Sequence, residues 1–370
     1  MNDDLGAQEQ AVLDLIAANP FAGQQQIADR LGLARSTVAA HIAQLVAKGR
    51  LLGRGYVLPP PRRIAVIGGA VLDRKYHARR EIIMGTSNPA EGHRSFGGVA
   101  RNITENLVRL GVAVAFVSIV GDDLTGREIL AHLRGLGVDV SRVTVSSDRP
   151  TAEYAAILDP SNELALGIAD MGIFDLFSPA ILDRVWPHLA SADWVLADCN
   201  PPAETLAALV SRRAGARFRL AVNTVSSPKA LRLPKDLSGV DLVFTNVDEA
   251  SAIVSGLDAP ARLTPVEAAT ALRAAGAGAV IVTDGANGYA LADADGARMM
   301  PAVPASPVDI TGAGDSMVAG TLARLLAGDT LEQAARAGAL LAALTIESEF
   351  SVHPELSPRL LEDATHRIPA

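Results

Sequence analysis

The most informative stretch of this chain reads Val308-Asp309-Ile310-Thr311-Gly312-Ala313-Gly314-Asp315-Ser316-Met317-Val318-Ala319-Gly320. It joins an extended segment to an apolar helix through a glycine-rich turn, with Asp315 at the entrance of the helix. Glycines let backbone N–H groups converge on an anion, and a helix N-terminus favours negative charge. Because a carboxylate repels an anion, Asp315 is better explained as a base that takes a proton from a hydroxyl group. Without its neighbours, the pattern is equally compatible with a plain strand-turn-helix junction.

Three further motifs precede this stretch in the chain. The first, Gly97-Gly98-Val99-Ala100-Arg101-Asn102, opens an apolar helix. The second, Asn246-Val247-Asp248-Glu249, separates an amide from a carboxylate by one helical turn, so that both can face one point. The third, Thr283-Asp284-Gly285-Ala286-Asn287-Gly288, contains two glycines of a predicted turn. No G-x-x-x-x-G-K-[ST] sequence occurs, which excludes a Walker-type phosphate loop.

In this order, the four motifs resemble the signatures of the ribokinase, or PfkB-type, carbohydrate and nucleoside kinases, and they cover residues 64 to about 350. The resemblance implies transfer of the γ-phosphoryl group of ATP to a hydroxyl group, with Mg²⁺ as cofactor. It makes Asp315 the general base. Gly312, Ala313 and Gly314 are expected to donate N–H groups to the developing negative charge. The alternative is that Asp315 is a simple helix-capping acid.

Hydroxyl groups of the substrate are expected at two polar side chains. Asp73 ends the first predicted strand, and strand ends line the crevice of a doubly wound sheet. The resemblance makes Asn102 the second anchor, while Gly97 and Gly98 let the backbone approach the sugar. Members of the family commonly have an asparagine two residues before the acid, where this chain has Val71, so one polar contact of the pattern is missing.

The same resemblance assigns the nucleotide and its metal ion to other motifs. Asn246 and Glu249 are expected near magnesium and phosphate, acting through water, because Mg²⁺ takes few direct protein ligands. As a bare motif, this pair is also typical of a solvated helix start. Asp309 and Thr311 match positions that help to form a monovalent-cation site in many members, which implies K⁺. The nucleotide itself is expected at Asn246, Thr283, Gly285 and Gly288.

Three peripheral stretches bear on the choice of substrate. They are Gly85-Thr86-Ser87-Asn88-Pro89, Asp170-Met171-Gly172-Ile173 and Ala197-Asp198-Cys199-Asn200. With the glycine-valine-x-arginine form of the first signature, they look like bacterial pseudouridine kinases, which implies the 5′-hydroxyl of pseudouridine as the acceptor. Thr86, Ser87 and Asn88 offer hydroxyl and amide groups that suit the edge of a uracil ring. The same three residues are equally suited to cap a turn of the lid.

Two other functions stay open at this point. The core motifs do not distinguish pseudouridine from ribose, fructose or adenosine, so another sugar or nucleoside kinase is the first alternative. The second is a transcription regulator whose kinase fold only senses a ligand. A pure sensor has no need of a catalytic base, so the intact motif residues argue against it; these are Asp315, Gly312, Gly314, Asn246 and Glu249.

Charge is distributed unevenly along this chain, whose net charge is −8. Between Arg30 and Arg63 there are seven basic residues and no acidic one. A basic block on an otherwise acidic chain is typical of a module that faces nucleic acid. The sequence has no apolar run long enough for a membrane span, Met1 to Asp4 do not resemble a secretory signal, and Cys199 has no second cysteine to pair with. We therefore expect a cytoplasmic protein without membrane association.

Residues 1–58 resemble a winged helix-turn-helix domain. Periodicity predicts three helices and a short hairpin over residues 8–18, Gln24–Leu31, Thr37–Lys48 with Ser36 as its cap, and 49–58. The predicted contacts with duplex DNA are Arg35, Ser36, Thr37 and His41 on the recognition face, with Arg50 and Arg54 beside the wing. One such unit makes few contacts, so we expect a homodimer. A helical dimerisation module with an ordinary basic surface is the alternative.

A proline run separates this domain from the rest of the chain. Pro59-Pro60-Pro61 continues neither a strand nor a helix, so residues 59–63 are predicted to form a stiff linker. Over residues 64–370, apolar strands such as Ile64–Ile67 alternate with Ala- and Leu-rich helices. This alternation predicts an α/β fold: a doubly wound, mostly parallel sheet with helices on both faces. A small β lid is expected from segments at about 74–96 and 151–170.

Overall fold

A computed structural model describes residues 5–52, 62–257 and 262–369. The N-terminal unit contains helices α1 (Ala7–Ala18), α2 (Gln24–Leu31) and α3 (Arg35–Ala47). They enclose a separate apolar core of Val12, Ile16, Ala22, Ile27, Ala28, Val38, Ile42, Leu45 and Leu51. The three predicted helices are present, but α3 begins at Arg35 with Ala34 as its N-cap, so Ser36 is not the cap. The predicted wing beyond Leu52, Arg54 in it, and Pro59–Pro61 lie outside the described residues.

The second unit contains fourteen described strands. They are β1 (Arg63–Ile67), β2 (Val71–Ala78), β3 (Ala90–Gly97), β4 (Ala113–Val117), β5 (Ile119–Gly121), β6 (Thr144–Ser146), β7 (Glu153–Leu158), β8 (Leu164–Asp170), β9 (Trp194–Asp198), β10 (Arg219–Asn223), β11 (Leu242–Asn246), β12 (Val280–Thr283), β13 (Tyr289–Asp293) and β14 (Gly296–Met300). Eight of them form one sheet in the order β14-β13-β12-β11-β10-β9-β1-β4. The pairs from β12 to β4 are all parallel, whereas β13 pairs antiparallel with both of its neighbours. Strand β1 begins at Arg63, which the sequence prediction assigned to the linker.

Helices cover both faces of this sheet. They are α4 (Val99–Arg109), α5 (Leu124–Gly135), α6 (Pro179–Ala190), α7 (Ala203–Arg213), α8 (Ser227–Ala230), α9 (Val247–Ser255), α10 (Pro265–Ala274), α11 (Ala313–Ala327), α12 (Leu331–Ile346) and α13 (Pro358–Asp363). Alternate residues of β1 enter different cores: Ile67 packs in the core that contains α6, α7, α9 and α10, and Val66 in the core that contains α4, α5, α11 and α12. Burial on both sides explains why the parallel strands are continuously apolar. The predicted doubly wound α/β fold is therefore confirmed.

A second, four-stranded sheet forms the lid, with the order β3-β2-β7-β8. Strands β2 and β3 pair antiparallel, as do β7 and β8, while β2 and β7 are parallel. The chain turns between β7 and β8 at Asn162, which adopts a φ of 63°. All of β8 is exposed, so this strand forms a free edge of the lid. A third pair, β5 and β6, is short and parallel.

The N-terminal unit contacts the second unit through the C-terminal end of α3, which lies against α6. Gly49, just after α3, adopts a φ of 68°, a left-handed conformation that favours glycine. A Cβ atom at this position would collide with the backbone of Ala190 and Ser191 at the end of α6. Gly49 therefore permits a close backbone approach between the two units, while Arg35 lies at the opposite end of α3. Among the helices of the described ranges, none is long and apolar enough to span a bilayer.

Replacing Gly49 by alanine tests this close approach, and Gly32 provides a matched control. Both glycines have a left-handed φ, but a Cβ at Gly32 would meet no atom within 4 Å. Gly32→Ala should therefore lower the free energy of unfolding by roughly 1–2 kcal/mol from backbone strain alone. Gly49→Ala should cost more, because the backbone of α6 must also move. Urea denaturation measures both values, and equal losses would contradict the close contact.

Candidate active site

In the glycine turn at the start of α11, Gly312 is packed against the chain at Ser351, whereas Gly314 borders open space. Gly312 is the N-cap of the helix and has a φ of 84°. A Cβ there would collide with the carbonyl of Ser351, so only glycine fits. A Cβ at Gly314 would meet no atom within 4 Å. The first turn of α11 therefore borders open space, where its N–H groups can meet an anion.

Asp315 lies in this first turn and is buried, with only 8% of its surface exposed. Its Oδ2 accepts a hydrogen bond of 2.8 Å from Nδ2 of Asn102. Burial raises the pKa of Asp315 to about 7, and the hydrogen bond from Asn102 opposes that rise. The like charges of Asp198 and Asp73 raise the pKa further. A carboxyl that titrates near neutral pH has the proton affinity that a general base needs.

A small cavity of about 130 Å³ connects Asp315 to the predicted nucleotide motifs. Its walls include Asn246, Glu249, Thr283 and Gly314 as well as Asp315. Four of these residues lie at the carboxyl ends of β11 and β12 or in the first turn of α11, and Glu249 lies in the first turn of α9. Because parallel strands end at the same edge of a sheet, residues far apart in sequence meet there.

Asn246 and Glu249 form a capping box at the start of α9. The amide oxygen of Asn246 accepts a 2.9 Å bond from the Glu249 N–H, and Glu249 accepts a hydrogen bond from the hydroxyl of Thr224. Glu249 is buried, which raises its pKa, whereas Asn246 is exposed at the start of the helix. Within the described residues, no cluster of three potential metal ligands occurs. One carboxylate and one amide beside an open cavity fit an Mg²⁺ ion that keeps most of its waters.

The two glycines of the T-x-G-x-x-G turn differ in their surroundings. Both follow β12 and have positive φ angles, 56° at Gly285 and 94° at Gly288. A Cβ at Gly288 would collide with the carbonyl of Met300 on β14, so packing of the sheet edge requires this glycine. A Cβ at Gly285 would meet nothing within 4 Å, which leaves its backbone accessible to a ligand. Thr283 lies in the cavity wall and donates to the carbonyl of Thr245 at 3.4 Å.

A larger cleft of about 510 Å³ lies between the lid and α4, within the range of about 300–1,000 Å³ that is typical of small-molecule sites. Asp73 lines this cleft from β2, so it belongs to the lid and does not end the first strand of the main sheet as predicted. Burial raises its pKa to about 6, against the opposing charges of Arg101 and Lys75. A Cβ at Gly97 would collide with the Asp73 carboxylate, so this glycine makes room for it.

The first signature places Asn102 on α4, next to Asp315. Asn102 is buried in α4 and donates to Asp315. Gly98, the N-cap of α4, has a φ of 94°, and a Cβ there would lie 2.6 Å from the carbonyl oxygen of Gly69. The glycine therefore lets α4 begin against the loop that follows β1. Asn102 thus contacts Asp315, and the negative charge of Asp73 acts on the same carboxyl group.

The predicted monovalent-cation residues are arranged differently. Asp309 accepts a 2.8 Å hydrogen bond from the Thr311 N–H through Oδ1. Its Oδ2 forms a 2.8 Å ion pair with the ammonium group of Lys75, which comes from the lid strand β2. The ammonium group of Lys75 is thus paired with the carboxylate that the resemblance assigns to a K⁺ site. This arrangement does not fit an ion held by the Asp309 carboxylate.

The predicted base-reading residues of the lid do not reach the cleft. Thr86 and Ser87 are exposed in the loop between β2 and β3. The Asn88 amide closes that loop, accepting from the Ile83 N–H at 2.8 Å and donating to the Ile83 carbonyl at 3.0 Å. The residues that line the cleft from the lid strands are Leu72, Asp73, Lys75, Arg94, Ser95 and Phe96. The turn-capping role that the sequence left open is the one this geometry supports for Asn88.

The sequence linked Asp198 to the choice of substrate, through the stretch Ala197–Asn200, but not to a structural role; it is fully buried at the end of β9. Its carboxylate accepts hydrogen bonds from the N–H groups of Gly69 at 2.9 Å and Ala100 at 3.1 Å. It also accepts from the Asn200 amide at 2.7 Å. Asp198 therefore joins three chain segments at the floor of the site. The signal that could have revealed it was its position as an acid that ends a buried strand.

The residues predicted to bind DNA fall on α3 and just after it. Arg35 and Ser36 are exposed at the start of the helix, while Thr37 and His41 are half-buried. His41 Nε2 lies 3.3 Å from the Gln8 side-chain oxygen of α1. Arg50 is half-buried after α3. The accessible part of the predicted face is thus the N-terminal end of α3, the end that enters the major groove in helix-turn-helix proteins.

Replacing Asp315 by asparagine tests its pKa without any assay of activity. The folded protein binds this proton more tightly than the unfolded chain, because the pKa is about 7 instead of the ordinary 3.8. Wild-type stability should therefore fall as the pH rises between these two values. Relative to wild type, Asp315→Asn should gain stability between pH 5 and pH 8, as measured by urea denaturation.

Asp123→Asn is the control for this measurement. Burial acts to raise the pKa of Asp123, but hydrogen bonds from Thr151 and Gly126 bring it below its usual range. Asp123 is therefore ionised at both pH values, and its replacement should change stability equally at pH 5 and pH 8. If Asp315→Asn behaves like this control, Asp315 does not titrate in the neutral range.

Comparison with known proteins identifies the family. The family model described as pfkB family carbohydrate kinase matches residues 61–356, and a model of winged helix-turn-helix DNA-binding domains matches residues 7–51. An uncharacterized sugar kinase, YeiI, of Escherichia coli (strain K12) is 32% identical over 355 residues, which cover 94% of this chain and 96% of the relative. The pseudouridine kinase of the same organism is 26% identical, covering 80% and 93%.

A solved structure agrees with these sequence matches. A carbohydrate kinase from Agrobacterium tumefaciens superimposes with a TM-score of 0.74 at 32% sequence identity, covering 83% of this chain and 98% of that protein. The match covers most of both chains, and the fold of the second unit agrees with it. The chain therefore belongs to the pfkB family of carbohydrate kinases and carries a winged helix-turn-helix domain at its N-terminus.

Proposed function

We propose that this kinase transfers a phosphoryl group from ATP to the 5′-hydroxyl of pseudouridine, with Asp315 as the general base. The observation that carries this proposal is the position of Asp315, which is buried in the wall of the nucleotide-side cavity and is hydrogen-bonded to Asn102 of α4, the helix that also lines the cleft under the lid. Its pKa of about 7 suits a group that holds a hydroxyl proton and then accepts it.

The geometry supports the following sequence of events. The substrate occupies the cleft beside Asp73, and its reacting hydroxyl donates a hydrogen bond to Asp315. ATP lies on the side of Asn246 and Thr283, with its γ-phosphoryl group before the first turn of α11. The hydroxyl oxygen attacks the γ-phosphorus as its proton moves to Asp315, the bond from this phosphorus to the bridging oxygen breaks, and ADP leaves. The N–H groups around Gly314 stabilise the negative charge on the transferred group. Mg²⁺, when bound beside Asn246 and Glu249, neutralises phosphate charge.

Support for pseudouridine comes from the Escherichia coli pseudouridine kinase, which is 26% identical to this chain. The cleft also offers groups that suit a nucleobase. Phe96 presents an aromatic ring and Ser95 a hydroxyl group on the lid side. Because Thr86 to Asn88 lie outside the cleft, we assign contacts with the base to the lid strands instead of their connecting loop.

Another sugar or nucleoside kinase activity is the second candidate. It is favoured by the greater similarity, 32% identity over 94% of this chain, to a relative described as an uncharacterized sugar kinase. The residues around Asp315 would perform the same chemistry on ribose, fructose or adenosine. Only the lid side of the cleft would differ in what it contacts.

A substrate panel distinguishes these candidates. ATP consumption should be measured against pseudouridine, uridine, adenosine, ribose and fructose. If the lid strands read a base edge, pseudouridine should exceed ribose in kcat/KM by about 10⁴-fold or more, because polar groups left unpaired in a buried site produce discrimination of this size. Equal or better use of another substrate would exclude pseudouridine while leaving the kinase activity intact.

Asp315→Asn is the control variant in this panel. Its turnover should fall by at least about 10²–10⁴-fold with whichever substrate is used, since the general base is missing. ATP binding should be unchanged and can be followed by calorimetry. Near-wild-type turnover of this variant would remove Asp315 from the mechanism.

We further propose that the N-terminal domain binds duplex DNA as part of a homodimer and regulates transcription of the gene that encodes it. The family match over residues 7–51 and the exposed start of α3 at Arg35 and Ser36 support DNA binding. The lid supports dimerisation, because Leu164, Leu166 and Ile168 are all exposed on β8. These alternate residues form an apolar stripe on a free edge strand, which a second copy would cover.

DNA binding can be measured by gel shift on the promoter region of the gene at increasing salt. Affinity should fall steeply with salt, and sedimentation should show two protomers per duplex. Arg35→Glu should weaken binding and flatten the salt dependence, whereas Arg127→Glu, an exposed arginine of α5, should not. Failure to bind any genomic fragment even at low salt would favour the dimerisation module.

A further inference from the structure

Helix α4 carries a buried network of charged side chains that has no role in the reaction proposed above. Arg101 and Glu105 are only 5% and 3% exposed and form an ion pair one helical turn apart. Glu105 also accepts bonds of 2.9 Å from Arg109 Nε and from His132 Nε2 of α5. Burying charges costs free energy even when they are paired, so the network is weak evidence for a role in stability alone.

Arg101 reaches from this network to the residue that contacts the proposed base. Its Nη1 donates to the carbonyl of Phe96 at 2.8 Å and to Oδ1 of Asn102 at 2.7 Å. A guanidinium group only donates hydrogen bonds, so the oxygen of the Asn102 amide must face Arg101. The NH₂ group of the same amide is then directed to Asp315, at 2.8 Å.

We propose that Arg101 is a positioning residue, which fixes the orientation of the Asn102 amide and thereby keeps Asp315 an acceptor for the proton of the substrate. This inference rests on the proposed role of Asp315 as the base. An amide turned the other way would present its oxygen to Asp315. A hydrogen bond could then form only with the protonated carboxyl, which cannot act as a base.

The charges around Asp315 explain why such control is needed. Asp73 faces it from β2 and Asp198 from the end of β9, and both like charges favour the protonated carboxyl, as does burial. Arg101 and the Asn102 amide, both from α4, act in the opposite direction. Removing Arg101 therefore takes away a positive charge and, at the same time, the group that orients the amide.

The test compares pH profiles of kcat/KM for wild type, Arg101→Met, Arg101→Lys and Arg127→Met. In Arg101→Met, the acidic limb should move to higher pH by about one unit, which corresponds to about tenfold lower activity below pH 7. Activity should recover to within a few-fold of wild type near pH 9. Arg101→Lys should show a smaller shift, and Arg127→Met, which removes an exposed charge of α5, should show none.

A purely structural role predicts another outcome, because Arg101 also ties α4 to the lid through the Phe96 carbonyl. Loss of that tie would lower activity by the same factor at every pH, and this result would overturn the proposal. If Arg101→Met does not fold, Arg101→Met combined with Glu105→Gln removes both buried charges and serves the same comparison.

A second readout does not depend on activity. The stability difference between each protein and its Asp315→Asn derivative, followed by urea denaturation against pH, reports the titration of Asp315 directly. This transition should move upward in Arg101→Met. If this transition moves although wild type turns over none of the substrates in the panel, the proposed function fails. The orientation of the Asn102 amide by Arg101 is then still supported. An active enzyme whose profile and transition are both unchanged in Arg101→Met would exclude the positioning role.

Discussion

The buried carboxylate of Asp198 holds together the parts from which the site is built. It lies at the end of β9 and accepts hydrogen bonds from the N–H groups of Gly69, in the loop after β1, and of Ala100, at the start of α4. Gly68 is part of the same arrangement, since a Cβ there would collide with this carboxylate. The bonds satisfy backbone donors that would otherwise be buried without partners at a helix start. They also fix α4, and with it Asn102, relative to the sheet.

Carboxylates are unusually concentrated around this point. Asp73, Asp198 and Asp315 come from β2, β9 and α11, and burial raises the pKa of each. Groups with strongly shifted pKa values often mark functional sites, because stability alone would not select them. Here the raised pKa values are partly offset by Arg101 and by hydrogen bonds from amides. Burying like charges is unfavourable, but it raises the pKa of a carboxyl toward neutral pH, the range in which a general base accepts a hydroxyl proton.

The two units of the chain contact each other where the end of α3 lies against α6. Gly49 brings the end of α3 against the end of α6, while the exposed start of α3 points its accessible residues elsewhere. The close approach of the two backbones leaves no space for a side chain at residue 49, because a Cβ atom there would overlap Ala190 and Ser191. The lid is held to the main unit by the Lys75–Asp309 ion pair and by the hydrogen bond from Arg101 to the Phe96 carbonyl, among other contacts.

The sequence by itself determined the α/β architecture and the three N-terminal helices, because apolar periodicity and glycine turns act locally. It also singled out Asp315 and Asn102, which a hydrogen bond joins in the structure. It did not determine which groups the polar side chains of the lid and of the glycine turn contact. The Asn88 amide closes its own loop, Lys75 occupies the Asp309 carboxylate, and Asp73 lies on the lid. The connection from Glu105 through Arg101 to Asn102 could not be read from helical spacing alone. Only the tertiary structure decides such contacts, since burial and the directions of hydrogen bonds depend on segments that are distant in the chain.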